Sequence, residues 1–561
     1  LPIYLRLSGS FAVSGIRPVA RRGQGGHSLV PMSEIETIPP PPVPSAAVSD
    51  APPGKGEDGA APASAIDGAA AGQPGLWDRT LGNLRARWRD IAASAREAVG
   101  AAPRSNLPRE DAERLKAQMR ACLEGRGGEV SARARAAQLG RTYLGLDVEG
   151  RRNFLLTLAR EFGIDPDGVD AAAAAWTAAR TEGGERALAR AEQALRRALE
   201  PPRLTLLTQF NALPEGVKFL VDLRAELMGM AEGEPALAGL EEDLKGLLRG
   251  WFDVGFLDMR RITWDSPASL LEKLIMYEAV HEIRGWQDLK DRLDADRRCF
   301  AFFHPRMPGE PLIFVEVALV TGMSDRVQAL LDPSAPVIDP KTADSAIFYS
   351  ISNAQKGLAG ISFGNFLIKR VVDGLSQEFP KISCYATLSP IPGFRRWLAR
   401  EAAEQGAALL PAADWDRIAE ALAAAGGERP DSVPAGLLDA ALARPDWHRD
   451  EGLAKVLRPI LMRLCARYLT QAKAPARRAT DAKTAPRALD PVAHFHLSNG
   501  ARMERLNWMA DVSEKGLKQS CGLMMNYRYK LGEIDANHEA YRGEGRVTVS
   551  SAMKALVKGG G

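Results

Sequence analysis

The chain has 561 residues, 45% of them hydrophobic and 25% charged, which excludes a fibre or a wholly disordered chain and predicts more than one domain. With 73 Lys+Arg against 70 Asp+Glu, the formal net charge of +3 is too balanced for the broad basic field that nucleic-acid binding needs. Five cysteines (Cys122, Cys299, Cys384, Cys465, Cys521) show no zinc or redox spacing and suit a reducing compartment, and even the most apolar run, 311–321, holds Glu316, so no bilayer span is predicted.

Residues 1–31 carry Arg6, Arg17, Arg21 and Arg22 and no acid, a bias shared with mitochondrial transit peptides. Met32 opens MSEIET and reads as the true start, with upstream sequence before it. From Pro39 to Pro74 the composition is Pro, Ala, Gly and Ser, which buries too little apolar surface to offset chain entropy, so residues 1–75 are predicted to be a disordered extension.

Order is predicted to begin near Leu76, where Leu76, Leu81, Leu84, Trp88, Ile91, Ala95 and Val99 recur at helical intervals. Segments 109–123, 130–139, 151–162, 169–199, 204–210, 214–230 and 237–250 are rich in Ala, Leu, Glu and Arg and break at Gly or Pro, making 76–265 an all-helical domain with an oligomerising role. Beyond it, CFAFFHP (299–305) and LIFVEVALV (312–320), parted by the turn signal MPGEP, open a mixed α/β domain over 266–561. Helical patterns return as an insertion over 405–470, and the Pro-containing basic stretch 471–489 reads as a mobile loop.

The segment richest in chemistry follows IFYSIS. NAQKGLAGISFG is a Gly-rich turn, and Phe363, Leu367, Val371, Leu375 and Phe379 step by four along a helix before ISCYATL (382–388), giving a βαβ unit. Gln355, Gly357, Gly360 and Gly364 would place unpaired N–H groups at a helix start, where they hold a phosphate or pyrophosphate such as that of coenzyme A; equally, the glycines only turn the chain. Ser389, in LSPIPGFRRWL, stands at the carboxyl end of the second strand, either as a ligand-site residue or as a helix-capping hydroxyl. His494 and His496 alternate in AHFHLSNG, which on a strand would put both imidazoles on one side. No third ligand completes a metal site there, so a catalytic or a structural histidine is the reading. Asn526, Tyr527 and Tyr529 read as active-site donors or, more simply, as sheet residues.

Taken together, FYSISNAQKGLAGISFGNFLIKRVV, LSPIPGFRRWL, DPVAHFHLSNGARMERLNWMADVS and SCGLMMNYRY resemble the malonyl-CoA decarboxylase family over most of residues 270–545. The resemblance implies an α + α/β protein: an N-terminal all-helical domain followed by a GNAT-type acetyltransferase-like α/β catalytic domain. It passes the catalytic roles of the LSPIPGF serine and the FHLxNG histidine to Ser389 and His496. Acyl-CoA contacts map onto Gly357, Leu358, Ala359, Gly360, Ile361, Ser362, Phe363, Gly364 and Asn365, with Asn499 and Tyr527 as supporting residues. Two departures stand out. Animal members carry a glutamate where this chain has Ser362, and this chain ends KGGG where they end in a peroxisomal signal.

The resemblance further implies conversion of malonyl-CoA to acetyl-CoA and CO2 without metal or organic cofactor, and a homo-oligomer, a tetramer built as a dimer of dimers. Ala/Arg/Gly richness fits a bacterial, cytoplasmic member; the mitochondrial matrix is the alternative if residues 1–31 are a transit peptide. The rival functions are an acyl-CoA-dependent acyltransferase on the same fold and a non-catalytic acyl-CoA sensor or scaffold.

Overall fold

Alanine, leucine and arginine dominate the stretch from Arg109 to Trp251, and their low rotamer cost in a helix favours one helix after another. The computed structural model describes residues 88, 89, 91, 103–124, 128–361, 367–427, 435–475 and 485–558; the extension expected over 1–75 lies outside them, as does most of the helix expected from Leu76. The helices are α1 (Arg109–Leu123), α2 (Gly128–Gly145), α3 (Val148–Glu161), α4 (Pro166–Glu182), α5 (Glu185–Ala198), α6 (Pro202–Asn211), α7 (Gly216–Met230) and α8 (Pro235–Trp251). The periodic stretch 169–199 is two helices, because Gly183 and Gly184 interrupt it where a helix would cost most backbone entropy. On α8, Leu237, Leu240, Leu244 and Leu248 recur at three- and four-residue steps and are all fully buried, each contributing about 1.5–3 kcal/mol. Trp88 joins this core, edge-on to Phe219 at 5.0 Å with its indole N–H donating to the Pro214 carbonyl at 2.9 Å.

After Leu257 the aromatic and β-branched runs build an eight-stranded sheet in the order β1-β2-β3-β4-β5-β8-β6, with β7 also on β8. Its strands are β1 (Asp258–Ile262), β2 (Arg297–His304), β3 (Met307–Val320), β4 (Ser345–Asn353), β5 (Cys384–Thr387), β6 (Ser389–Pro390), β7 (Arg502–Asn507) and β8 (Met524–Tyr529). MPGEP does not form the expected turn. The chain reverses at Pro305 and Arg306, His304 pairs with Met307, and register shifts at Phe303 absorb prolines that cannot donate to a regular ladder.

Helices α9 (Ala268–Tyr277) and α10 (Trp286–Asp291) lie between β1 and β2, and the single turn α11 (Val327–Leu330) between β3 and β4. Every strand pair is antiparallel except β4–β5, where Ser345 to Phe348 run parallel to Cys384 to Thr387. A parallel pair needs a crossover, which α12 (Leu367–Glu378) supplies. Leu367, Val371, Leu375 and Phe379 are all buried, as the four-residue step predicted, while Phe363 lies outside the described residues. Alternation divides the sheet's contacts: Phe348, Tyr385, Tyr527 and Tyr529 share a core with α12, and Ile347, Tyr349, Ala386 and Leu388 share another with Val327 and Leu330.

Between β6 and β7 come α13 (Phe394–Gln405), α14 (Ala412–Ala424), α15 (Ala435–Ala443), α16 (Glu451–Gln471) and α17 (Pro491–Ser498); α18 (Glu514–Ser520) lies between β7 and β8, and α19 (Ile534–Glu544) and α20 (Ser551–Lys558) follow β8. Of the loop expected over 471–489, Lys473 and Ala488 form an antiparallel bridge, and 476–484 lie outside the described residues. The AHFHLSNG segment, read from its alternation as a strand, is helix α17. Asp490 and Pro491 decide this, as an N-cap acceptor followed by a residue that needs no N–H partner.

Candidate active site

Ser389 opens β6, separated from the end of β5 by Leu388, and Ser389 and Pro390 pair with Met525 and Met524 of β8. Its side chain does not cap the next helix, since the N-cap of α13 is Gly393 and carries no side-chain bond. Instead the Ser389 Oγ, in a residue only 5% exposed, donates to Thr387 Oγ1 at 2.8 Å and meets His496 Nε2 at 3.0 Å. Thr387 and Ser389 are two apart in extended chain, so their hydroxyls fall on one side.

His496 arrives from α17. The Asp490 carboxylate accepts from Val492 N–H at 3.0 Å and Ala493 N–H at 2.9 Å, and the Tyr468 hydroxyl donates to its other oxygen at 3.2 Å. Two residues on a helix are about 200° apart around its axis, so His494 and His496 diverge instead of sharing a side. His494 Nδ1 meets the Tyr541 hydroxyl at 2.9 Å, whereas His496, 2% exposed, points beneath the sheet. There its ring stacks on Tyr527 with centroids 4.5 Å apart and an interplanar angle of 22°, and its Nδ1 meets the Tyr529 hydroxyl at 2.8 Å.

Burial pushes the His496 imidazole down to about 3, so it is neutral at physiological pH. A neutral imidazole donates at one nitrogen and accepts at the other. With Ser389 donating to Thr387, His496 donates from Nε2 to Ser389 Oγ and accepts from Tyr529 at Nδ1. Turning the Ser389 hydroxyl toward Nε2 reverses both bonds, and the rotatable Tyr529 hydroxyl serves either state. Burial also pushes the Tyr527 and Tyr529 hydroxyls well above the ordinary phenol range, so both keep their protons.

The remaining sequence candidates divide. Tyr527 contributes its ring, while its buried hydroxyl has no hydrogen-bond partner. Asn499 closes the end of α17, its Nδ2 donating to the Phe495 carbonyl at 2.8 Å, and its buried Oδ1 is unpartnered. Asn526 is a structural joint, donating to the Thr387 carbonyl at 2.7 Å and the Ser324 carbonyl at 3.1 Å.

In the Gly-rich turn, Gln355 Nε2 donates to the Pro311 carbonyl at 2.9 Å, and Gly357 packs against α7 so tightly that a Cβ there would lie 1.7 Å from the Val221 carbonyl oxygen. The N–H groups of Leu358, Ala359 and Ile361 donate to the carbonyls of Gln355, Lys356 and Leu358, so these three are engaged within the turn and not unpaired. Ala359 and Gly360 form its exposed tip, with Gly360 at a left-handed φ of +74°. Ser362, Phe363, Gly364 and Asn365 lie outside the described residues. Among the described residues no hydrogen bond links this turn to Ser389 or His496, and none of the groups of His, Cys, Asp and Glu is arranged to hold a metal ion. A cavity of about 890 Å³ lined by His281, Arg292, Val327, Leu330 and Asp511 shares no residue with the Ser389–His496 site.

The family model described as the malonyl-CoA decarboxylase C-terminal domain matches residues 255–560, and that described as the N-terminal domain matches residues 162–252. The chain belongs to the malonyl-CoA decarboxylase family. Mitochondrial malonyl-CoA decarboxylase of Anser anser anser is 39% identical over 439 residues, which cover 76% of this chain and 84% of that protein. The Rattus norvegicus protein of the same name is 40% identical over 429 residues, covering 74% and 83%. The crystal structure of malonyl-CoA decarboxylase from Rhodopseudomonas palustris superposes with a TM-score of 0.70 at 41% identity, covering 80% of this chain and 99% of that one. That from Agrobacterium vitis gives 0.67 at 40%, covering 79% and 99%.

Within this malonyl-CoA decarboxylase family member, sequence reasoning passes over Thr387 and Asp490 and offers Tyr529 mainly as a sheet residue. Signals for two of them were present. Asp490-Pro491 is a helix-start signature, and Thr387 stands one strand period before Ser389. Nothing local marks Tyr529, whose role depends on the approach of α17 to β8.

Proposed function

We propose that Ser389 and His496 are the reacting pair with which this chain, a carboxy-lyase, converts malonyl-CoA to acetyl-CoA and CO2. The observation that carries the assignment of the pair is the 3.0 Å contact of Ser389 Oγ with His496 Nε2 in a buried setting, where placed dipoles are worth far more than in water. Loss of CO2 breaks the bond from C2 to the carboxylate and leaves its electron pair on the thioester enolate. The Ser389 hydroxyl donates to the developing oxyanion. As the substrate carboxylate enters, His496 takes up one proton from solvent at Nδ1, and the carboxylate charge favours the resulting imidazolium, which burial otherwise disfavours. Its Nε2–H then protonates C2, a step for which general acid catalysis is typically worth about 10²- to 10⁴-fold. Tyr529 donates to the bare Nδ1 of the resting ring and accepts from Nδ1–H of the imidazolium and of the neutral ring left after the transfer, so one hydroxyl orients every form.

The segment 357–365 takes the nucleotide end of acyl-CoA, so that remote binding energy orients the malonyl group. The parallel β4–β5 pair joined by turn and helix supports the acetyltransferase-like reading of this region. No metal or organic cofactor takes part, since the chemistry asked of the site is hydrogen bonding and one proton transfer. The division into a helical domain to residue 265, a catalytic domain with an insertion over 405–470, and a homo-oligomer, as a dimer-of-dimers tetramer, belongs to the same reading. Helices α4 and α5 are consistent with it, because they form a hairpin in which no residue is buried, leaving surface for another copy to cover. A cytoplasmic location is part of the proposal, with the mitochondrial matrix as the alternative should residues 1–31 direct import. Among the described residues no helix is long and apolar enough to cross a membrane.

The test is to incubate purified protein with malonyl-CoA and a chelator, without added cofactor or acceptor, and follow acetyl-CoA and CO2 together. Equal release of both is expected. Bound malonyl-CoA without release would instead identify a sensor, and free CoA appearing only with an added amine would identify an acyltransferase.

A further inference from the structure

Arg224 on α7 is 1% exposed, a burial that a guanidinium tolerates only when its donors are met. Nε and Nη2 donate to Glu241 Oε1 on α8 at 3.0 and 2.6 Å. Nη1 reaches across to the Gly357 carbonyl, and Nη2 to the Ala359 carbonyl at 2.9 Å. One turn earlier on α7, the Val221 carbonyl abuts Gly357 and excludes any side chain there. The helical region thus holds two carbonyls of the Gly-rich turn with one side chain. In a trans peptide the C=O and N–H point opposite ways, so tying the Ala359 carbonyl to Arg224 aims the Gly360 N–H away from it. Lys245 of α8 flanks the same tip, its Cε 3.7 Å from where a Gly360 Cβ would stand.

We infer that Arg224, anchored by Glu241, is a positioning residue for acyl-CoA: it fixes the turn so that its exposed tip is preorganised for the phosphates at the nucleotide end of the substrate. The helical region thereby sets acyl-CoA affinity, an inference that rests on the assignment of this turn to acyl-CoA. Preorganisation lowers the ordering cost at binding. Lysine at this position cannot span both carbonyls and Glu241 together, because it lacks the planar fork.

The experiment compares malonyl-CoA with malonyl-N-acetylcysteamine, which has the thioester but no nucleotide, in wild type, Arg224→Lys, Glu241→Gln and Gly360→Val. Arg224→Lys is expected to raise KM for malonyl-CoA about tenfold with kcat within about twofold, and Glu241→Gln to raise it about threefold. Neither changes kcat/KM for the truncated thioester, whereas a merely structural defect lowers both substrates alike. Unchanged KM in both variants, or equal losses on the two substrates, would overturn the inference. If Arg224→Lys does not fold, as judged by its melting curve, Glu241→Gln decides. Gly360→Val separates the underlying assignment: no rise in KM there removes the turn from acyl-CoA binding, while a rise there without one in Arg224→Lys and Glu241→Gln removes Arg224 alone.

Discussion

Replacing Tyr529 with Phe tests the site at the contact most isolated from substrate binding. The hydroxyl lies 2.8 Å from His496 Nδ1, and both residues are fully buried, so water has no ready access to replace it. The ring's own contacts, with His496 at 6.2 Å and Phe348 at 6.3 Å between centroids, are available to phenylalanine. Leaving a buried nitrogen without its partner costs about 1–3 kcal/mol. If that cost falls on the step in which His496 carries the proton, kcat drops about 5- to 150-fold, at 1.36 kcal/mol per factor of ten. KM for malonyl-CoA should stay near wild type, because Tyr529 acts through His496. The assay is the initial rate of acetyl-CoA formation over a range of malonyl-CoA concentrations, with a thermal melt of the variant beside it. A folded Tyr529→Phe protein with kcat within twofold of wild type would refute the reasoning, since the imidazole would then be oriented without the hydroxyl.

Ser389→Ala and His496→Asn are each expected to cut turnover by about two or more orders of magnitude with little change in CoA affinity, to be checked by steady-state kinetics and calorimetry. With His496 held near 3 in the free protein, its titration contributes no inflection to kcat/KM across about pH 5 to 8; an inflection there that His496→Asn abolishes would contradict this. Asp490→Ala removes the acceptor of two N–H groups at the start of α17 and should cost about 0.5–2 kcal/mol of stability by urea unfolding, with a fall in kcat as His496 shifts. Burial, with Arg487 and Arg542 nearby, pushes His494 down to about 4 from its ordinary 6.5, so the unfolded chain binds its proton first and stability is lost as pH falls from 6.5 toward 4. His494→Gln should therefore lose less stability than wild type between pH 7 and 5 in urea midpoints; an equal or steeper loss counts against the assignment.

How far the sequence reaches is seen by comparing α8 with α17. Along α8 the leucine spacing spans several turns, so periodicity and propensity agree and the helix is legible without its neighbours. The crossover after β4 is legible for the same reason, since a β-rich run, glycines and a four-residue apolar step follow in order. In α17 only eight residues are helical, too few for alternation in HFH to be told from helical spacing, and the cap at Asp490 outweighs it. The MPGEP segment errs likewise: proline and glycine signal a turn, but pairing with β2 and a bulge keep them in a strand.

The sequence by itself determined which residue types are present, where helical and extended periodicities run, and, through its motifs, that Ser389 and His496 are the pair to examine. Only the tertiary structure decided that they meet, across 107 positions of chain, and that Tyr529 and Thr387 complete the contact. It alone decided that the Gly357 turn is held by Arg224, 133 positions earlier. The physical reason is that backbone propensity and periodicity are local, whereas burial, the lowered imidazole pKa and the pairing of buried donors depend on which distant segments the folded core brings together.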